Sequence, residues 1–194
     1  MASGFAAASA GEMATAEDLL AAGDLGRCEL VRGMLVMMSP AGFEHGVITQ
    51  RIAAFLHAYV AGRRLGVVTA AETGFLLARA PDTVRAADVA FVTESRLPRG
   101  RTVGFFEGAP DLTVEVLSPS ELRDDAARTR ATLEVAGWLA AGCLEVWSVD
   151  PGSRTMTVHT ASRGSRLFNE AETFVSAAMP GMAVTIAELF PPAS

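Results

Sequence analysis

The chain of 194 residues is 50% hydrophobic and 20% charged. That is enough for one globular core rather than two, while its apolar runs fall far short of the ~20 residues of a spanning helix, which excludes a membrane-spanning role. Its 16 basic residues are all arginine, set against 22 acids for a net charge of −6, which argues against coating nucleic acid by bulk electrostatics and leaves room for a local basic patch.

Residues 1–12 lack the basic start and leucine-rich stretch of a secretion signal and are expected to be a disordered lead before an alternative start at Met13. Residues 13–194 then read as a single domain. Thr15, with Glu17 and Asp18 behind it, predicts a capped helix over 15–22. A hairpin follows, with strands over 28–31 and 34–38 about an Arg32-Gly33 turn. Val47, Ile48, Ile52, Phe55, Leu56 and Val60 recur at helical spacing and predict a long amphipathic helix over 44–64. Strands are expected over 66–71, 74–78 and 84–92, then an arginine-bearing loop over 95–101. The run 112–117 is near-continuously apolar, as a central strand buried on both faces should be. A helix over 125–141 stops at Gly142. Strands over 144–149, 155–160 and 173–176 and a short C-terminal helix complete a mixed sheet with helices on its faces. Cys28 and Cys143 lack zinc or disulfide spacing, which places the chain in a reducing, cytoplasmic compartment.

Two acids stand where a core should be. Asp88 and Glu115 each interrupt a strand of Val, Ala, Phe and Leu, and an isolated ionised carboxylate is costly to bury there. Such a group is paired, protonated or holding a cation. With Glu29 leading the hairpin, the pattern suggests converging acids around a hard divalent ion, as in a phosphodiesterase site. The competing reading puts each acid at a strand end or on an arginine.

The segments Glu29-Leu30-Val31-Arg32-Gly33, Ser39-Pro40 with Glu44-His45, Ala87-Asp88-Val89-Ala90-Phe91-Val92, Val114-Glu115-Val116-Leu117-Ser118-Pro119-Ser120 and Glu145-Val146-Trp147-Ser148-Val149-Asp150-Pro151 resemble the large bacterial Uma family of small restriction endonucleases. The resemblance runs from about Met13 to Phe190. It implies the PD-(D/E)xK nuclease superfamily: an α/β fold of the α+β type, with a restriction-endonuclease-like mixed sheet flanked by helices and an N-terminal β-hairpin. It further implies a DNA endonuclease using Mg²⁺ or Mn²⁺, with Asp88 and Glu115 as catalytic acids and metal ligands and Glu29 as the ligand from the N-terminal segment. A homodimer is expected by analogy alone.

The resemblance fails at one functional position. The family lysine, counted back from Glu145-Val146-Trp147 with Trp138 at the usual tyrosine, falls on Glu134, and the chain has no lysine at all. Arg130, one helical turn earlier, can supply positive charge but cannot act as a base. Alternatively Glu134 is an extra metal ligand, or the site is inactive and the protein binds nucleic acid or a protein partner. The plain alternative for Arg130 and Glu134 is a surface ion pair contributing roughly 0–1 kcal/mol. Two milder departures are Ala87 for the PD proline and Arg32 for the hairpin aspartate.

His45, Arg96, Arg99 and Arg101 are candidate substrate-phosphate contacts, with a helix cap and a solvated loop as their competing readings. Arg123 and Arg128 belong to the same class. His57 and His159 read as structural or solvent-facing, Met34, Met37 and Met38 as core strand, and Asp111 as a turn or cap before the central strand. No G-x-S-x-G, H-E-x-x-H, Walker or G-x-G-x-x-G pattern occurs.

Overall fold

The computed structural model describes residues 13–23, 25–100 and 103–192. The expected lead over 1–12 and the candidate Arg101 lie outside them. The chain divides into two compact units, one of residues up to Pro40, Gly74–Ala86 and Pro98–Ala109, the other of Ala41–Thr73, Ala87–Leu97 and Pro110 onward.

In the first unit, helix α1 (Ala16–Ala21) begins at a capping box. Thr15 Oγ1 accepts the Asp18 N–H at 3.1 Å, and Asp18 Oδ2 accepts the Thr15 N–H at 2.9 Å. Strands β1 (Cys28–Val31) and β2 (Met34–Met37) pair antiparallel from Val31↔Met34. Arg32 and Gly33 both take positive φ, 51° and 75°, the geometry that lets a two-residue turn follow the twist of its strands. The expected hairpin therefore forms, although Met34 and Met37 face solvent rather than a core. Strands β3 (Gly66–Ala78) and β4 (Thr83–Thr93) run from one unit into the other. Here β4 meets β1 at Leu30↔Val84, and β5 (Phe106–Glu107) lies parallel to the end of β3. Leu19, Leu30, Leu76 and Val84 pack as a small core.

The second unit holds α2 (Phe43–Val60), β6 (Leu112–Val116), α3 (Pro119–Leu122), α4 (Asp125–Ala140), β7 (Glu145–Asp150), β8 (Thr155–Thr160) and β9 (Gly164–Phe168). Its strands follow the order β4-β6-β7-β8-β9, with β6 and β7 parallel and the other neighbours antiparallel. This is the expected mixed sheet with helices. Alternation along the strands sends Val89, Phe91, Leu112, Val114, Val116, Trp147, Val149, Met156 and Val158 to one face. There they meet Ile48, Ile52 and Leu56 of α2 and the C-terminal segment. That segment carries a small antiparallel pair, β10 (Thr173–Val175) and β11 (Ala183–Thr185), then a 3₁₀ turn over Ile186–Leu189.

Glu145, only 2% exposed, ties this segment down. Its carboxylate accepts from the Trp147 indole at 3.2 Å, Ser176 Oγ at 2.7 Å and the Ala177 N–H at 2.6 Å.

Several elements differ from the sequence reading, among them the short strands β5 and β11, which were not expected. The strands expected over 66–71 and 74–78 are one strand, kinked but not ended by Ala71 and Glu72 at φ 56° and 59°. Strand β9 and the short helix α3 were not expected, and the C-terminal helix is a single 3₁₀ turn. Among the described residues, no helix is long and apolar enough to cross a membrane.

Gly66 gives a direct test of close strand packing. It sits at φ 148°, and a Cβ there would strike the Val92 carbonyl and stand 2.8 Å from Thr93 Cα. We expect Gly66→Ala to destabilise the fold by about 2 kcal/mol or more, read as a lower urea midpoint at unchanged m-value. A midpoint equal to wild type would show that β3 moves aside freely.

Candidate active site

The ladder between β4 and β6 runs Phe91↔Leu112, Ala90↔Thr113, Val89↔Val114. One further step of that register sets Asp88 opposite Glu115. Because Val114 and Val116 point into the α2 core, strand alternation turns Glu115 between them to the other face. At this step a side chain takes over from the backbone ladder: Asp88 Oδ2 accepts the Val116 N–H at 2.9 Å.

Each acid has further support. His45, in the first turn of α2, places Nε2 3.0 Å from Asp88 Oδ2, and its Nδ1 is 3.4 Å from Thr49 Oγ1 one turn on. Trp138, fully buried on α4, donates its indole N–H to Glu115 Oε1 at 2.9 Å. Asp88 is 8% exposed and Glu115 is half-buried.

Helix α4 begins at Asp124, whose Oδ1 accepts the Ala127 N–H at 2.8 Å. That bond, then Arg123 and more weakly the charge of Arg130, holds the Asp124 carboxyl below its ordinary value. Arg130, Glu134 and Trp138 follow one another at four-residue spacing, hence along one stripe of α4. Arg130 is exposed and Glu134 half-buried.

Two of the remaining candidates, Glu29 and Arg96, have structural employment. Glu29, in the first unit, gives both oxygens to neighbours: Oε2 lies 2.8 Å from Arg85 Nη1, and Oε1 accepts the Ala86 N–H at 2.9 Å. Arg96 lies 3.0 Å from Asp111 Oδ1, and Asp111 Oδ2 accepts the Thr93 N–H at 2.8 Å. Asp111 thus fastens the chain ahead of β6, as expected of a turn residue. Arg99 is exposed. Among the described residues, no group of three or more His, Cys, Asp or Glu side chains is placed to hold a metal ion.

The donor chemistry of the Asp88 and Glu115 pair still fits magnesium. Hard cations of this size use one or two carboxylates and take their other ligands from water and substrate phosphate. Each acid offers hard oxygen, Asp88 held by the Val116 N–H and His45 and Glu115 by the Trp138 indole N–H.

Sequence reasoning missed one polar group on this face. Glu115 pairs with Ser148 in the parallel β6–β7 register. Ser148 Oγ lies 3.1 Å from His159 Nε2, and His159 Nδ1 lies 2.7 Å from Ser165 Oγ. Three separate strands supply these residues, so no local motif announces them.

Comparison with known proteins follows the geometry. The sequence profile of the family Uma2, described as "Putative restriction endonuclease", matches residues 14–187. Among solved structures, the chain is similar to a protein titled a putative nuclease belonging to DUF820 from Anabaena variabilis ATCC 29413. The two share 21% identity with a TM-score of 0.77, over 91% of this chain and 97% of that one. Among curated proteins nothing matches the chain.

Burial holds the His159 imidazole below its ordinary value of 6.5. The folded chain therefore keeps the ring neutral where the unfolded chain takes up a proton. Its contribution to stability is complete above about pH 6.5 and is lost as pH falls from there through the folded-state value. Urea midpoints of wild type should drop between pH 7.5 and 5.5 more steeply than those of His159→Gln, and equal slopes would contradict this.

Proposed function

The chain belongs to the Uma2 family of putative restriction endonucleases, and from that premise we propose that it hydrolyses DNA phosphodiester bonds at the Asp88 and Glu115 pair, with Mg²⁺ or Mn²⁺ as cofactor. The observation that carries the reading is that two acids stand on adjacent strands one register step past Val89↔Val114, where Asp88 accepts the Val116 N–H. The partners of this pair are the Val116 N–H and His45 for Asp88 and the Trp138 indole for Glu115. An arginine and a backbone N–H satisfy Glu29, and a shell of uncharged donors satisfies Glu145.

Asp88 and Glu115 would hold the ion, which when bound supplies Lewis-acid polarisation of the phosphoryl oxygen and a lowered pKa for a bound water. The chain's own part is positional. Val116 N–H and His45 fix the plane of the Asp88 carboxylate, and Trp138 fixes that of Glu115. Glu29, with both oxygens engaged by Arg85 and Ala86, stands outside this proposal as a ligand. The cytoplasm is the proposed setting. Burial pushes the Cys143 thiol up to about 11, which suits an unreactive cysteine in a reducing compartment.

A second reading has a specific observation behind it. Glu134 stands one turn before the Trp138 that touches Glu115, so an acid occupies the stripe where the family resemblance calls for a lysine. On this reading the chain is a non-catalytic descendant that keeps the fold and binds a partner.

Plasmid nicking separates the two. Wild type with Mg²⁺ is expected to nick supercoiled DNA, and Glu115→Gln to lose roughly a hundredfold or more. Cleavage surviving that substitution would mean a contaminating nuclease. Mn²⁺ calorimetry is expected to show binding by wild type and loss in Asp88→Asn, and a wild type that binds no Mn²⁺ would favour the descendant. Glu134→Lys is expected to raise cleavage at least tenfold, by restoring a cation near the reacting phosphate, and an unchanged rate would remove Glu134 from the account.

A further inference from the structure

The face of the sheet that carries the acid pair also carries a chain of hydroxyl and imidazole groups that the reading above does not use. Ser148 on β7 is the register neighbour of Glu115 on β6. Register neighbours on parallel strands lie about 4.8 Å apart with side chains on the same face. His159 on β8 and Ser165 on β9 are themselves register partners. Their contacts run in one line, Ser165 Oγ to His159 Nδ1 at 2.7 Å and His159 Nε2 to Ser148 Oγ at 3.1 Å. Ser165 is exposed, and His159 and Ser148 are half-buried.

We propose that Ser148 is a substrate-contacting residue, its hydroxyl donating a hydrogen bond to a phosphate oxygen beside Glu115, and that His159 and Ser165 are its positioning residues.

Proton bookkeeping gives the line its direction. For the Ser148 O–H to be free for substrate, Ser148 Oγ must accept from His159 Nε2–H. A neutral His159 then has a bare Nδ1, which accepts the O–H of Ser165. Every donor has one acceptor, and the one proton left over points out of the chain from Ser148. Aligned bonds of this kind polarise one another and strengthen the terminal donor. A hydroxyl beside a paired acid is also the kind of uncharged donor a site without lysine can offer an anionic phosphate. Ser148 does not need to ionise, and no covalent step is involved.

The inference rests on the proposed nuclease reading, and the experiment keeps the two apart. Binding of a fluorescein-labelled 20-base-pair duplex is measured by anisotropy with Ca²⁺ in place of Mg²⁺, beside Mg²⁺-dependent nicking. Ser148→Ala is expected to weaken binding or turnover roughly ten- to hundredfold, while Mn²⁺ affinity by calorimetry stays within twofold of wild type. Ser148→Thr and Ser148→Val, equal in shape and suited to a strand, isolate the hydroxyl: the Thr variant should exceed the Val variant at least fivefold. His159→Leu should act like Ser148→Ala, and His159→Gln, which keeps an N–H donor, should recover part of the loss. If wild type binds and nicks but the Thr and Val variants are equal, the Ser148 inference falls alone. If wild type binds neither Mn²⁺ nor duplex, the nuclease reading falls and takes the inference with it.

Discussion

The hydrogen bond from the Val116 N–H to Asp88 Oδ2, made one step past the Val89↔Val114 pair, joins the two strands that carry Asp88 and Glu115. A like-charged pair on neighbouring strands destabilises a sheet. Here the sheet gives up a backbone ladder bond at the same step, and the freed Val116 N–H goes to Asp88. The indole of Trp138 does the same for Glu115. Neither of these two N–H donors carries charge, and Asp88 has His45 Nε2 beside it as well, at 3.0 Å.

Contrast with the other buried acids makes the point sharper. Glu29 is held by Arg85, Asp111 by Arg96, and Asp82 by Arg79 together with the Ala16 N–H. Glu145 lies in an uncharged shell of three donors that fastens the C-terminal segment. Each of these acids secures a piece of chain. Asp88 differs because its ring partner, His45, carries charge only when protonated.

Much of this was legible in the sequence, for a physical reason. An ionised group inside a run such as Val-Glu-Val-Leu violates the usual sorting of residues, so Asp88 and Glu115 announce themselves without neighbours. The hairpin, the two long helices and β6 were readable because their periodicity or turn chemistry is local. What was not readable depends on contacts between distant residues. Glu29 looks as anomalous as Asp88 in one dimension, and its bond to Arg85, 56 residues away, is visible only in the fold. Strand β9, Gly-Ser-Arg-Leu-Phe, buries only its last residue and so lacks the alternation by which strands are recognised. The strand β3 continues through two left-handed non-glycine residues, Ala71 and Glu72, which no propensity rule would allow in a strand interior. His159 was read as structural or solvent-facing because its partners lie on two other strands.

Sheet alternation finally explains why core and chemistry do not interfere. In the second unit one set of alternate residues, from Val89 through Val114 and Trp147 to Met156, packs with α2 and the C-terminal segment. The intervening set, Asp88, Glu115, Ser148, Thr157 and, one step along, Thr113 and His159, falls on the opposite face. A residue added to or removed from β6 would exchange the two sets and bury Glu115 in the aliphatic core. The site therefore inherits its precision from the core: the packing that fixes Val114 and Val116 in register is what fixes Glu115 between them.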